Sequence, residues 1–154
     1  MPQVIRFPIL RKRLTDRFIL EIMVPLELRS DQGTWFPYGF LFDTGTEVST
    51  IPFSIAHMAD ITVPTNRPAR IQGATGVAPG FLAPFRFCVL GLEHLMFEGL
   101  ACFTALNLKR PLLALTDVLS HFEMRSVSAT ALHPLGSLEL RLHKNHQGKA
   151  RGSS

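Results

Sequence analysis

The fold of this chain is decided by residues 38–52, which read YGFLFDTGTEVSTIP. An apolar, aromatic run leads into Asp43, Thr44 and Gly45, and β-prone residues resume at Val48. The pattern predicts a strand, a tight turn and a second strand, with a carboxylate where the first strand ends. A carboxylate held there is partly desolvated, which suits acid and base chemistry on water. On their own, the three residues also fit an ordinary β-turn in which Asp caps and Gly supplies positive φ.

Length and composition predict one all-β domain. The chain has 154 residues, of which 46% are hydrophobic and 18% charged, so it is globular and long enough to bury a core. Its 11 glycines and 11 prolines predict many short elements, and its 12 phenylalanines suit a β-rich core. We expect one domain over residues 1–143. Residues 144–154 are predicted to form a disordered tail, because Asn, Gln, Gly, Lys and Ser dominate there.

Residues 40–52 resemble the active-site segment of the single-domain, retropepsin-like aspartic proteases. The family pattern is two hydrophobic residues, Asp-Thr-Gly, then Ala or Ser, and a hydroxyl residue three positions later. Thr46 stands where Ala or Ser is usual, and Ser49 matches the hydroxyl position.

Two further segments resemble the same family. Residues 111–122 are similar to its second motif, a hydrophobic-hydrophobic-Gly strand followed by a short helix, with Ala114 in place of the glycine. The added methyl group puts the packing beside the active-site loop in question but removes no chemical group. Residues 69–81 resemble the glycine-rich flap hairpin that closes over substrate.

The resemblance implies a retropepsin-like closed β-barrel, the acid-protease fold, with a flap hairpin and one short C-terminal helix. It also implies an aspartic endopeptidase that hydrolyses polypeptide substrates with two carboxylates and needs no metal or other cofactor. Only Asp43 is followed by Thr-Gly in this sequence. We therefore expect a homodimer in which the two copies of Asp43 activate a water molecule between them.

The resemblance assigns roles to individual residues. Asp43 would be the acid and base, Thr44 would bond across the dimer interface, and Gly45 would let the backbone approach the carboxylate. Glu47 is explained equally well as a solvated loop carboxylate. The residues expected to bind substrate are Thr46, Glu47, Gln72, Gly73, Ala74, Thr75 and Gly76.

Two other functions are compatible with parts of the sequence. The departures at Thr46 and Ala114 leave open a catalytically inactive retropepsin-fold module for binding or dimerisation. A net charge of +4 and the cluster at residues 11–13 leave open a nucleic-acid-binding surface. A nucleic-acid surface would interleave basic residues with aromatic ones, and charge runs are usually only solvated. We therefore interpret this cluster as a solvated turn, and Lys144, Lys149 and Arg151 as a solvated tail, and expect no nucleic-acid partner.

The remaining reactive side chains predict structural roles. Cys88 and Cys102 lie in apolar stretches without a CxxC pair, so we expect buried free thiols. His143 and His146 are interpreted as solvated rather than as metal ligands. No signal peptide and no apolar run long enough to span a membrane is visible, so the expected location is cytoplasmic, with no membrane partner.

Overall fold

The computed structural model describes residues 3–73, 76–144 and 149–150. These residues are mostly in β-strands, as predicted. They also include two short helices, neither of which is long enough to cross a membrane. The strands are β1 (Val4–Arg13), β2 (Phe18–Arg29), β3 (Trp35–Asp43), β4 (Ser49–Pro52), β5 (Pro68–Gly73), β6 (Gly76–Val89), β7 (Leu95–Thr104), β8 (Leu112–Ala114), β9 (Phe122–Val127), β10 (Ser137–Leu142) and β11 (Lys149–Ala150). The helices are α1 (Phe53–Met58) and α2 (Leu115–Leu119).

The strands form one sheet in the order β5-β6-β7-β4-β8-β3-β2-β1-β10-β9, with β11 paired to β7. A further pairing joins β2 to β6, so the hydrogen bonds that run from β6 through β7, β4, β8, β3 and β2 return to β6. Most pairs are antiparallel, but β3 with β8 and β4 with β7 are parallel. The parallel pair of β3 and β8 places the ends of these two strands, Asp43 and Ala114, side by side.

Phenylalanines fill the core, as the composition predicts. Phe40, Phe87 and Phe97 are almost completely buried, and the ring of Phe85 stacks between the rings of Phe40 and Phe87 at centroid distances of 6.2 and 5.1 Å. A fully buried phenylalanine stabilises the fold by about 1.5–3 kcal/mol relative to an exposed one. The core therefore holds β3, which carries Asp43, firmly against β6 and β7.

The pairing of β3 with β8 fixes the backbone next to Asp43. Asp43 lies opposite Ala114, and the N–H of Leu41 donates to the carbonyl oxygen of Pro111 at 2.9 Å. Ala114 is fully buried with φ −76° and ψ 148°, a regular extended conformation. The backbone at this position therefore does not require glycine, and the alanine is accommodated.

A buried polar cluster ties the strand that follows the Asp43 turn to α2. The Ser49 hydroxyl donates to Oδ2 of Asp117 and accepts the N–H of Ala114 at 3.0 Å. Oδ1 of Asp117 accepts the N–H of Leu100 at 3.1 Å, and Asp117 is only 8% exposed. A Cβ at Gly99 would lie 2.8 Å from the same Oδ1, so only glycine fits there. The cluster thus joins β4, β7 and α2.

Two predicted boundaries on the N-terminal strands are wrong. Because proline cannot donate to a strand ladder, the sequence predicts a break at Pro25 between residues 18–24 and 26–28. Instead β2 continues through Pro25, because proline lacks only the N–H donor and its carbonyl oxygen still accepts the N–H of Leu90 at 3.1 Å. Residues 11–13 belong to β1 and not to a turn. The turn follows them, and is closed by a bond from the N–H of Leu14 to the carbonyl oxygen of Arg17 at 2.7 Å.

The C-terminal helix begins earlier than the sequence predicts. Thr116 and Asp117 are residue types that cap helices, and they predict a helix over residues 118–122. Instead α2 begins directly after β8, with Ala114 at the N-cap and no side-chain cap. The Asp117 carboxylate cannot cap because it is engaged in the buried cluster. Tertiary hydrogen bonding here outweighs the local capping preference.

Other predictions concern the tail and the cysteines. Most of the predicted disordered tail lies outside the described residues, and within it β11 pairs with Leu95 and Met96. The domain boundary at residue 143 stays a prediction. Cys88 and Cys102 are buried thiols that form no disulfide, as predicted, and burial raises the pKa of the Cys102 thiol.

The outer face of β10 carries a carboxylate covered by arginines. The Glu139 side chain is 3% exposed, and its Oε2 accepts a hydrogen bond from Nε of Arg6 at 2.8 Å. Arg125 and Arg141 lie 3.1 and 3.8 Å from its other oxygen. The hydrogen bond from Arg6, with the charges of all three arginines, lowers the pKa of Glu139 although burial opposes this.

We predict that Ser49→Ala destabilises the fold, because it leaves the N–H of Ala114 and one oxygen of Asp117 buried without this partner. The expected loss is about 1–3 kcal/mol in urea unfolding. Ser54→Ala is the matched control: Ser54 is exposed on α1 and should change stability by less than about 0.5 kcal/mol. Equal stability of the two variants would show that the cluster contributes nothing.

We also predict a pH-dependent effect of Arg6→Gln. Because the folded-state pKa of Glu139 is below its ordinary value of 4.5, the carboxylate stabilises the fold above that pH and loses this contribution as the pH falls through the folded pKa. Arg6→Gln should lower Tm at neutral pH, and its difference from wild type should shrink below about pH 4. Arg67→Gln, at an exposed arginine, is the control. A Tm difference that does not vary with pH would contradict the linkage.

Candidate active site

Asp43 is held at the end of β3 by hydrogen bonds from the turn that follows. Its Oδ1 accepts the N–H of Gly45 at 2.9 Å, and its Oδ2 accepts the hydroxyl of Thr46 at 3.0 Å. The side chain is half-buried. A carboxylate has about four acceptor positions, so each oxygen keeps one for a group in solution. Asp43 is thus oriented and still accessible.

The neighbouring turn residues have distinct environments. A Cβ at Gly45 would lie 3.3 Å from Oδ1 of Asp43, a tight contact, so glycine allows the backbone N–H to reach the carboxylate. The Thr44 side chain is exposed at the tip of the turn. Among the described residues of this chain, it has no hydrogen-bond partner.

The carboxylate of Asp43 opens into a groove of about 810 Å³, called here the Asp43 groove. Its volume is within the range of about 300–1,000 Å³ typical of ligand sites. The walls combine a few polar groups with apolar side chains from three parts of the chain. The described residues that line it are Asp43, Gly45, Thr46, Glu47, Val48, Thr50, Arg70, Ile71, Gln72, Leu106, Leu108 and Leu112.

The structure brings together half of the residues predicted to form the site. Asp43, Gly45, Thr46, Glu47 and Gln72 line one groove, although they come from two separate segments. Thr44 does not line it.

The remaining predicted residues, at positions 73–76, lie in the sequence where β5 ends and β6 begins. Gly73 and Gly76 form the last described pair of the β5–β6 hairpin, and Gly76 is not among the described residues that line the groove. Ala74 and Thr75 lie outside the described residues. Binding of substrate by any of these residues stays a prediction.

Most of the residues that line the Asp43 groove were not predicted from the sequence. Arg70 and Ile71 precede Gln72 on β5, and the pairing of that hairpin could have indicated them. Leu106 and Leu108 lie in the loop before β8, and no local sequence pattern predicts that they line the groove. Only the parallel pairing of β3 with β8, a long-range contact, places this loop beside Asp43.

Neither His121 nor His143 is among the described residues that line the Asp43 groove. Within residues 3–73, 76–144 and 149–150, no three His, Cys, Asp or Glu side chains are arranged to hold a metal ion. The ring of His121 lies 5.0 Å from the ring of Phe97, with its Nε2 2.9 Å from the carbonyl oxygen of Glu98. His143 contacts the carbonyl oxygen of Leu119, and His146 lies outside the described residues.

Comparisons with known proteins support the fold. No family model and no curated protein match the sequence. Among solved structures, the chain is similar to a retropepsin-like aspartic protease from Rickettsia conorii, with a TM-score of 0.60 and 14% sequence identity over 92% of this chain and 94% of that one. At this identity the likeness shows the fold alone. The retropepsin-like fold predicted from the sequence is thus supported by an independent structure.

Proposed function

We propose that this chain is an aspartic endopeptidase that acts as a homodimer. The observation that carries the proposal is the oriented, accessible carboxylate of Asp43 at the end of β3, facing a groove that the β5–β6 hairpin also lines. The Asp-Thr-Gly motif and the retropepsin-like fold support the same conclusion. The pairing of β2 with β6 supports a closed barrel of the acid-protease type.

One carboxylate is insufficient for this chemistry. Hydrolysis of a peptide bond through a bound water needs a base that takes a proton from the water and an acid that protonates the carbonyl oxygen. Glu47 lines the same groove, but its side chain is exposed and no described residue of the chain holds its carboxylate. The second functional carboxylate is therefore proposed to be Asp43 of another copy.

A symmetric dimer would complete the site. Two Asp43 carboxylates that meet across a two-fold axis cannot easily both ionise, so they would share one proton. The ionised member would accept the proton of the water while the other donates to the carbonyl oxygen. Thr44 supports this arrangement: it is exposed at the turn tip without a partner among the described residues of its own chain, and so is available to the opposite loop.

The Asp43 groove fits an extended polypeptide segment. The apolar side chains of Ile71, Leu106, Leu108 and Leu112 provide surfaces for apolar side chains of a substrate. The hairpin arm at residues 70–72 borders the groove, so a strand of substrate would lie between it and Asp43. In this proposal the hairpin is the flap that excludes water.

The alternative of an inactive module rests on Thr46 and Ala114. Thr46 donates a hydrogen bond to the carboxylate, and Ala114 fits a regular strand, so neither departure from the family pattern disturbs the geometry of Asp43. The active enzyme is therefore the better-supported proposal.

We predict that Asp43→Asn abolishes peptide hydrolysis and leaves the fold intact. Asparagine has nearly the same shape but cannot accept the proton of the water, so cleavage should fall by about 10³-fold or more. The wild type should cleave a mixed peptide library with a bell-shaped pH profile that peaks at acidic pH, because one carboxylate must be ionised and the other protonated.

Asp16→Asn is the matched control for this experiment. Asp16 is exposed and does not line the groove, so its substitution should leave the rate unchanged. Circular dichroism and sizing would establish that both variants fold. An Asp43→Asn protein that cleaves at the wild-type rate would end the aspartic-protease proposal. A folded, dimeric wild type that cleaves no peptide in the library would favour the inactive module.

A further inference from the structure

A second groove, of about 890 Å³, lies on the other side of the loop formed by residues 105–111. Leu106 and Leu108 of this loop line the Asp43 groove, whereas Lys109 and Arg110 line the second one. The two grooves therefore share this short loop as a wall. A polypeptide that leaves the Asp43 groove over the loop would enter the second groove.

The second groove is strongly basic, and we call it the basic groove. One acidic residue, Glu21, is found among the described residues that line it. The basic residues that line it are Arg11, Lys12, Arg13, Lys109 and Arg110. The groove therefore carries an excess of positive charge, although its basic residues lie almost 100 positions apart in the chain.

The negative charge of Glu21, the acidic residue of the basic groove, is already neutralised by two ion pairs. Glu21 is 12% exposed, with Nζ of Lys12 at 3.5 Å from one oxygen and Nη1 of Arg110 at 3.7 Å from the other. The same nitrogen of Arg110 lies 3.1 Å from Sδ of Met23. These contacts join β1, β2 and the loop at residues 105–111 into the base of the groove.

The other basic residues remain available for a ligand. Arg13 and Lys109 are exposed, and neither forms an ion pair with any described residue. The guanidinium of Arg11 lies 4.6 Å from the centre of the Phe18 ring, a contact that leaves its charge unneutralised. Exposed cations without a counter-ion attract an anionic partner.

Apolar side chains lie among these charges. Leu10 and Met58 line the basic groove and are 46% and 66% exposed, and Tyr38 and Ile55 line it as well. Single-stranded nucleic acids bind to basic grooves through several aromatic side chains on which bases stack. Tyr38 is the only aromatic residue among the described lining residues. The mixture of aliphatic and cationic side chains instead matches a peptide in which acidic and apolar residues alternate.

We propose that the basic groove binds an acidic segment of the substrate polypeptide, next to the part that lies in the Asp43 groove. This inference rests on the proposed function and specifies its substrate class: polypeptides whose cleaved region is flanked by Asp or Glu residues mixed with apolar ones. Binding in the basic groove would add affinity for such substrates without contributing a group to the reaction.

The first test measures binding directly. A short fluorescein-labelled peptide of alternating Glu and Leu, too short to reach Asp43, is titrated with the wild-type chain at low salt. Arg13→Gln combined with Lys109→Gln should weaken binding by about fivefold, since it removes two exposed charge interactions. The matched control combines Arg67→Gln with Lys144→Gln, which removes the same charge from exposed positions outside the groove. This control should bind as the wild type does.

Any of three binding results would overturn the proposal. Equal affinity of both double variants, or equal affinity for a peptide with Gln in place of Glu, would exclude an acidic-peptide site in this groove. So would tight binding of single-stranded RNA that depends on Arg13 and Lys109, in the absence of binding to the acidic peptide.

A kinetic test separates this proposal from the proposed function. For a cleavable peptide with a Glu-Leu extension, Arg13→Gln with Lys109→Gln should raise KM and leave kcat unchanged, whereas a peptide with a Gln-Leu extension should show no difference. If the double variant cleaves the peptide with the Glu-Leu extension at the wild-type KM, the role of the basic groove is refuted and the protease proposal stays in place. If no peptide is cleaved, the protease proposal fails, and the binding measurement still decides whether the groove holds acidic peptides.

Discussion

The candidate site depends on the hydrogen bonds of one buried pair, the Ser49 hydroxyl and the Asp117 carboxylate. Ser49 also accepts the N–H of Ala114, the residue opposite Asp43 in the parallel pair of β3 and β8. The cluster therefore fixes β4 directly, and it fixes β3 through the pairing of β3 with β8. In the interior, such bonds are strong because water cannot replace them. Once these strands are fixed, the hydrogen bonds from Gly45 and Thr46 to the Asp43 carboxylate can form within the turn itself.

The local parts of the site could be predicted from the sequence. An apolar run ending in Asp-Thr-Gly specifies a strand and a turn within about ten residues, and local bonds from Gly45 and Thr46 hold the carboxylate. The hairpin of β5 and β6 was predictable for the same reason. The N-terminus of α2 could not be predicted from the sequence, because the carboxylate of Asp117 bonds to residues distant in sequence rather than to its own helix.

Long-range pairings explain why the rest of the surface was missed. The sequence presents residues 11–13 as an isolated basic cluster, and a solvated turn was a reasonable interpretation. In the structure they continue β1, and the contacts of Glu21 with Lys12 and Arg110 join that strand to a loop almost 100 residues later. Charge composition alone cannot distinguish scattered cations from a groove that collects them. The walls of the Asp43 groove from Leu106 and Leu108 depend on the same kind of contact.

The proposed chemistry requires that two chains form one active site, and mixed dimers test this most directly. Wild-type and Asp43→Asn chains are unfolded together, refolded at varied ratios and constant total concentration, and assayed for peptide cleavage. If both carboxylates act in one site, activity will follow the square of the wild-type fraction, because only dimers with two wild-type chains are active. Activity that falls in direct proportion to the wild-type fraction would mean that each chain carries its own site, which would contradict the account.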